Sequence, residues 1–399
     1  MITESDIPGF FAEKKDLHLE DYVLLDYLFE TNPKDNNDPR LTAAQLCSEQ
    51  STAQWSRPGT KEDFRERFGA KTVDLKEVGK HRFRVQIAHP HRNFGPRIPN
   101  FLAAAAGEGP FYCPGIRTIK WMDFSWPGSF LKHFEGPRIG LEGLRQQLGV
   151  TGRPIFIGVV KPNIGLPPAD FAALAGESWK GGLDICKDDE MLADVEWSPL
   201  VERVRLVTEA RRRIEKETGL KKIFIANITD EVDRIAELHD RAVQNGANAV
   251  MINSILTGIS ALRVLSSHSK VPVMSHFAGT AALSRQTDHG ISSLVLTKLQ
   301  RLAGADIIGL AGFGERMGCT EDEVLANVRA CLEPLGNLKA ALPVPGGSDT
   351  AETLPAVFKK IGHVDFGFIC GRGVFGHSAG PAAGAQTLHK AWGQIAGGR

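Results

Sequence analysis

From about residue 150 onward, apolar and polar positions follow one rhythm: a short β-branched run, a turn, an amphipathic stretch, then another short run. The runs are PIFIGVVK (154–161), GLDICKDD (182–189), KIFIANI (222–228), AVMINS (249–254), VPVMSHF (271–277), DIIGLAG (306–312), ALPVPG (341–346) and DFGFICG (365–371). Between them lie stretches such as PLVERVRLVTEARRRIEKETG and EDEVLANVRACLEPLG, whose apolar residues recur at three and four and which stop at Gly, as amphipathic helices do. Eight strand–helix units in roughly 250 residues match the count and size of a (β/α)8 barrel. A doubly wound sheet is the alternative, and the count favours closure. We therefore expect a barrel over 146–399. The first 145 residues lack the rhythm. DYVLLDYLFE (21–30) and HRFRVQIAHPH (81–91) read as strands and LTAAQLCSEQ as a helix, with Pro and Gly between them, which predicts a small α+β domain over 1–145.

Composition narrows the partners. The 47 basic and 47 acidic side chains cancel and form no long run of one sign, so neither nucleic acid nor an anionic membrane surface is the expected partner, and a small molecule is. No apolar window approaches the roughly 20 residues that span a bilayer, and the acidic start MITESDIPGFFAEKKD is no secretory signal, so a soluble cytoplasmic protein is expected. The six cysteines lie apart, without CxxC spacing, and read as reduced structural thiols.

A barrel of this kind builds its active site at the C-terminal ends of its strands. Read there, the runs end in Lys161; in Lys187, Asp189 and Glu190; in Asn227, Asn253 and His276; in a loop carrying Glu315 and Arg316; and in Gly346, Gly347, Gly371 and Gly373. A single polar strand end means little, since a strand must reach solvent somewhere, but the joint collection marks a site. Asp189 and Glu190 offer the hard oxygens that suit Mg²⁺. A bare Lys187 ammonium would repel that ion. It would serve only if neutral or converted to an anion, and a carbamate formed with CO₂ is such an anion. The plain alternative is a Lys–Asp–Glu surface cluster, against which stands the apolar LDIC that precedes it.

KPNIGL (161–166) followed by GGLDICKDDE (181–190) resembles the catalytic core of the ribulose-bisphosphate carboxylase large chain, and more closely its non-carboxylating relatives, the RuBisCO-like or form IV proteins. The resemblance covers nearly the whole chain. CSEQSTAQW (47–55) is similar to the family's N-terminal active-site segment, SHF and LSRQTDHG to its fifth-strand region, FGERMG (313–318) to its sixth loop, and GRGVFGH (371–377) to its phosphate-binding end. GVVKPNIGL, DDEMLADVEW, ANITDEVD and LPVPGGSD look especially like the form IV group of phototrophic bacteria. The resemblance implies a ferredoxin-like N-terminal domain before the barrel. It makes Lys187 the carbamylated lysine, with Asp189 and Glu190 as the other Mg²⁺ ligands, Lys161 the lysine that handles protons on the enediol, and His276 the histidine near the substrate hydroxyls. Glu49 and Trp55 match residues that one subunit lends to its partner's site, which implies a homodimer with shared active sites.

The chain also departs from the carboxylase pattern. Asn163 stands where the carboxylases carry a second lysine, and Arg316 where their sixth loop places a lysine over CO₂; a flat, permanently charged guanidinium is a different tool. Phe277 and Gly309 stand where an arginine and a histidine hold the distal phosphate, which argues against a bisphosphate substrate. The opposite phosphate cradle, formed by Gly347, Ser348, Gly371, Arg372 and Gly373, is retained. The expectation is Mg²⁺-dependent enolisation of a sugar monophosphate, or of a methylthio-sugar phosphate in sulfur metabolism, by an isomerase or tautomerase, without carboxylation. Two alternatives stay open: a lyase decarboxylating a β-keto sugar-acid phosphate, and a non-enzymatic regulatory role in sulfur metabolism or oxidative stress.

Overall fold

The computed structural model describes residues 4–32, 38–53 and 64–398. Thirteen strands occur among them: β1 (Tyr22–Thr31), β2 (Lys71–Gly79), β3 (Arg82–Pro90), β4 (Ile116–Ser125), β5 (Ile155–Val159), β6 (Ile185–Lys187), β7 (Ile223–Asn227), β8 (Ala249–Ile252), β9 (Val273–Ser275), β10 (Gly290–Ile291), β11 (Ile307–Ala311), β12 (Leu342–Gly346) and β13 (Gly367–Cys370). The chain divides into two compact units, Met1–Phe134 with Thr280–Leu296, and Glu135–Gly279 with Thr297–Arg399.

In the first unit the sheet order is β10-β4-β1-β3-β2. Strand β1 alternates strictly between half-buried and buried positions, so Val23, Leu25, Tyr27 and Phe29 form its core face. The helix Pro39–Glu49 joins β1 to β2, opened by Asp38, whose carboxylate accepts from the Arg40 N–H at 2.8 Å, and by proline at its first position. The helix Ile98–Ala106 lies between β3 and β4. Strands and helices in this order, with β4-β1-β3-β2 pairing, make the ferredoxin-like arrangement that the resemblance implied.

In the second unit eight strands pair in parallel in the order β12-β11-β9-β8-β7-β6-β5-β13. The two ends of that order lie side by side, since a Cβ at Gly367 of β13 would come within 2.9 Å of Val344 Cγ2 of β12. The sheet therefore closes as a barrel, and each predicted run contains one of its strands. Inward side chains, among them Ile155, Ile157, Ile223, Ile225, Met251 and Val344, fill the interior together with Leu141, Leu144 and Leu148 of the helix Gly140–Leu148. Buried Asp306 fixes the start of that helix. Its carboxylate accepts from the backbone N–H groups of Ile139 (2.7 Å), Gly140 (2.7 Å) and Val273 (2.9 Å). No described helix is long and apolar enough to cross a membrane.

Candidate active site

Strand periodicity sorts the residues of β6. Side chains alternate between the two faces of a strand, so the row that starts with Ile185 inside the barrel continues through Lys187 to Asp189, while Cys186 and Asp188 point outward. Cys186 Sγ lies 3.0 Å from Ser178 Oγ of the helix Pro168–Lys180. The Asp188 carboxylate accepts from Arg203 Nε at 3.1 Å and Nη2 at 3.2 Å, and from the Asn227 N–H at 2.8 Å. Both side chains of this ion pair are wholly buried. Asp188 thus anchors the strand end to the helix Leu200–Thr218 and leaves the chemistry to its neighbours. Lys187 is fully buried and donates from Nζ to the Asp188 carbonyl at 2.6 Å. Burial lowers its pKa from the ordinary lysine value, against the opposing pull of Glu190 and Asp189.

Lys161 follows β5 and converges on the same place. Its Nζ donates to Asn163 Oδ1 at 2.7 Å and to Asp189 Oδ2 at 2.8 Å. Asn163, where the carboxylases carry a lysine, here orients Lys161. His276 follows β9. Its Nδ1 accepts from the Ala278 N–H at 3.1 Å, so a neutral ring carries its proton on Nε2, 3.5 Å from Glu190 Oε2. Burial, then the charges of Lys187 and Lys161, hold this imidazole well below its ordinary pKa, hence neutral near pH 7. The strand-end residues Asn227 and Asn253 hold the ligand backbone: Asn227 Nδ2 donates to the carbonyls of Asp189 (3.2 Å) and Glu190 (3.1 Å), and Asn253 Nδ2 to that of Glu190 (3.0 Å).

A cavity of about 450 Å³ is lined by Lys161, Asn163, Lys187, Glu190, His276, Arg316, Gly347, Ser348, Gly371, Arg372 and Gly373, so these expected site residues come together from six of the eight strand ends or the loops after them. Asp189 joins them through Lys161. A Cβ at 371 would lie 2.9 Å from Lys161 Cε, so glycine there leaves the lysine room to hold its present position. Arg316 Nη1 donates to Ser348 Oγ at 2.6 Å. Phe277 and Gly309, the two departures expected to weaken a distal phosphate grip, are neighbours: Phe277 stacks on His276 with centroids 4.6 Å apart, and a Cβ at Gly309 would meet Phe277 Cδ1 at 3.3 Å. The aromatic ring thus fills the space beside Gly309.

Asp349 was missed in the sequence. It lines the cavity and its Oδ2 accepts from the Gly347 N–H at 3.2 Å, which engages one of the donors expected for phosphate. Burial pushes its carboxyl up to about 6. The sequence shows only that this acid directly follows the GGS turn after β12, which marks its place and not its burial. Glu49 ends the helix Pro39–Glu49 of the first unit and is half-buried. Trp55 lies outside the described residues.

The residues fit a magnesium site by their chemistry. Asp189 and Glu190 supply hard oxygens, and Lys187 is an amine whose charged form burial disfavours, as carbamate formation requires. Asn253 Oδ1, on the residue that holds Glu190, is a buried acceptor without a hydrogen bond.

Models of the ribulose bisphosphate carboxylase large chain match this sequence twice, the N-terminal domain over residues 14–130 and the catalytic domain over residues 140–399. The chain belongs to the RuBisCO large-chain family. Within that family it is 54% identical to the ribulose bisphosphate carboxylase-like protein of Allochromatium vinosum, over 100% of this chain and 90% of the relative. It is 53% identical to the protein of the same description from Chlorobaculum tepidum, over 97% and 92%. Among solved structures it is similar to the octameric ribulose-1,5-bisphosphate carboxylase/oxygenase of Pyrococcus horikoshii, with a TM-score of 0.92 and 29% identity over 98% of this chain and 92% of that one. The likeness to RuBisCO-like proteins of phototrophic bacteria agrees with the resemblance read from the motifs.

Proposed function

We propose that this RuBisCO-like chain catalyses Mg²⁺-dependent enolisation of a sugar monophosphate and does not fix CO₂. The observation that carries the reading is the convergence of Lys161, buried Lys187 and neutral His276 on one cavity that is also lined by Phe277, stacked on His276. Asp189, Glu190 and a Lys187 carbamate would hold Mg²⁺, which when bound supplies Lewis-acid stabilisation of a developing enolate. The chain's own residues do the proton work. Lys161 Nζ, oriented by Asn163 and Asp189, is placed to take the α-proton, a carbamate on Lys187 would offer the alternative base, and His276 Nε2–H is placed to return a proton. Gly347, Ser348, Gly371, Arg372 and Gly373 seat one phosphate. Phe277 favours an apolar group at the far end, as in a methylthio-sugar phosphate of sulfur salvage. Six free thiols suit a cytoplasmic location. Assembly as a homodimer with Glu49 and Trp55 lent to the partner's site follows from the family pattern, and the related P. horikoshii enzyme is itself a multimer.

The test is deuterium exchange into a panel of ketose monophosphates in D₂O, with Mg²⁺ and bicarbonate supplied or withheld. Exchange should require both and fall by roughly 10²–10⁴-fold in Lys161→Ala, the range for loss of a general acid–base group. Absence of exchange across a panel that includes β-keto acids would overturn the enzymatic reading and favour a regulatory role. Arg316 supports a second reading, decarboxylation, because its guanidinium lines the cavity where it could grip a substrate carboxylate. Under that reading Arg316→Gln loses turnover of a β-keto acid far more than of an uncharged ketose phosphate; equal losses count against it.

A further inference from the structure

The helix Ile235–Gln244 and the helix Ile259–His268 face each other through a cluster that the barrel-mouth chemistry does not use. His239 Nδ1 lies 2.8 Å from Asp240 Oδ1, and His268 Nε2 lies 2.7 Å from the same oxygen. The two rings meet edge to face with centroids 5.0 Å apart. Among the described residues this is the one group of three His, Cys, Asp or Glu whose ligand atoms all lie within 4.8 Å of one another. It sits near the chain's entry into β9, at the barrel end opposite the mouth, since His268 closes the helix that precedes Val273–Ser275.

The hydrogen inventory singles out His239. Its other nitrogen, Nε2, is 3.0 Å from Ser269 Oγ. That hydroxyl has one proton and donates it to the Val271 carbonyl at 2.7 Å. It therefore accepts from His239, which puts the ring proton on Nε2 and turns a bare Nδ1 lone pair toward a carboxylate oxygen. Two acceptors at this distance need a cation between them, either a second ring proton or a metal. His239 is buried, which favours its neutral form, while His268 and Asp240 are close to half exposed and leave a fourth position open to water.

We propose that His239 Nδ1, Asp240 Oδ1 and His268 Nε2 form a divalent transition-metal site of the zinc class. Two imidazole nitrogens and one carboxylate oxygen form a donor set that zinc accepts in tetrahedral geometry, with the remaining position solvated. A metal there clips two neighbouring barrel helices together and stabilises the folded state by binding it alone. The site is independent of the proposed enolisation.

The test uses the full chain, stripped with a chelator and titrated with Zn²⁺ at saturating Mg²⁺. Wild type should bind one zinc that His268→Gln and Asp240→Asn each lose, with affinity at that equivalent falling by more than about 100-fold, whereas Glu190→Gln keeps it. Zinc should raise the melting temperature of wild type and not of His268→Gln, and Co²⁺ should give visible ligand-field absorption that disappears in the same variant. Identical zinc stoichiometry in wild type, His268→Gln and Asp240→Asn, or loss of zinc in Glu190→Gln alone, would overturn the site and leave a proton between His239 and Asp240.

Discussion

At the scale of single residues, the cavity's electrostatics are set by which charged group each burial tolerates. Lys187, His276 and Asp349 are all pushed toward their neutral forms by burial. Asp349 gives the sharpest consequence. Its carboxyl rises from 3.8 to about 6 in the folded chain, so between those values the folded state holds a proton that the unfolded state has released. Stability contributed by this group is therefore full below about pH 4 and is lost as pH rises to about 6, by up to about 3 kcal/mol. Urea unfolding across that range should show Asp349→Asn losing less stability than wild type. The same substitution removes a negative charge beside the Gly347 N–H and should tighten binding of inorganic phosphate at pH 8; unchanged binding would place the phosphate elsewhere. KDDE was legible as a candidate metal-binding strand end because Asp189 and Glu190 place two hard carboxylates after an apolar strand. The role of Asp349 was not, because its burial depends on how the loop after β12 folds back over its own Gly347.

At the scale of elements, β6 is short, and its end is held from outside the barrel. The Asp188–Arg203 pair ties it to the helix Leu200–Thr218, and Asn227 and Asn253 tie it to the next two strands. Arg203→Met strands a buried carboxylate and should cost about 3–5 kcal/mol in urea denaturation. The double variant Arg203→Met with Asp188→Leu should recover most of that loss, because apolar groups replace both partners. Proton exchange should stay low in the double variant, since the N–H of Asn227 loses its acceptor and the ligand strand loses its anchor. The short β-branched runs disclosed all eight barrel strands, and period-three-and-four stretches disclosed their helices. Strands β2 and β4 escaped notice because the charges in KTVDLKEVG and IRTIKWMDFS obscure the apolar alternation. The two-residue β10 carries no pattern at all and exists only through its pairing with Lys120 and Trp121 of β4.

For the whole molecule, the proposed homodimer with Glu49 lent to the partner's site means that no single chain would complete its own site. Lys161→Ala and Glu49→Ala proteins, each inactive in deuterium exchange, should regain roughly a quarter of wild-type activity when refolded as an equal mixture, the share expected from random pairing across a two-fold interface. No recovery, with dimers seen by light scattering, would show that Glu49 serves its own chain. The amino-acid sequence by itself determined the barrel, the α+β unit before it, and the collection of Lys161, Lys187, Asp189, Glu190 and His276 at strand ends, because strand and helix patterns are local. Only the tertiary structure decided that Asp188 pairs with Arg203, that Phe277 fills the space beside Gly309, that Asp349 engages Gly347, and that His239, Asp240 and His268 meet. Apart from the short-range engagement of Gly347, these contacts join different elements, and in every case packing and burial, which no local pattern encodes, set their distances and their charge.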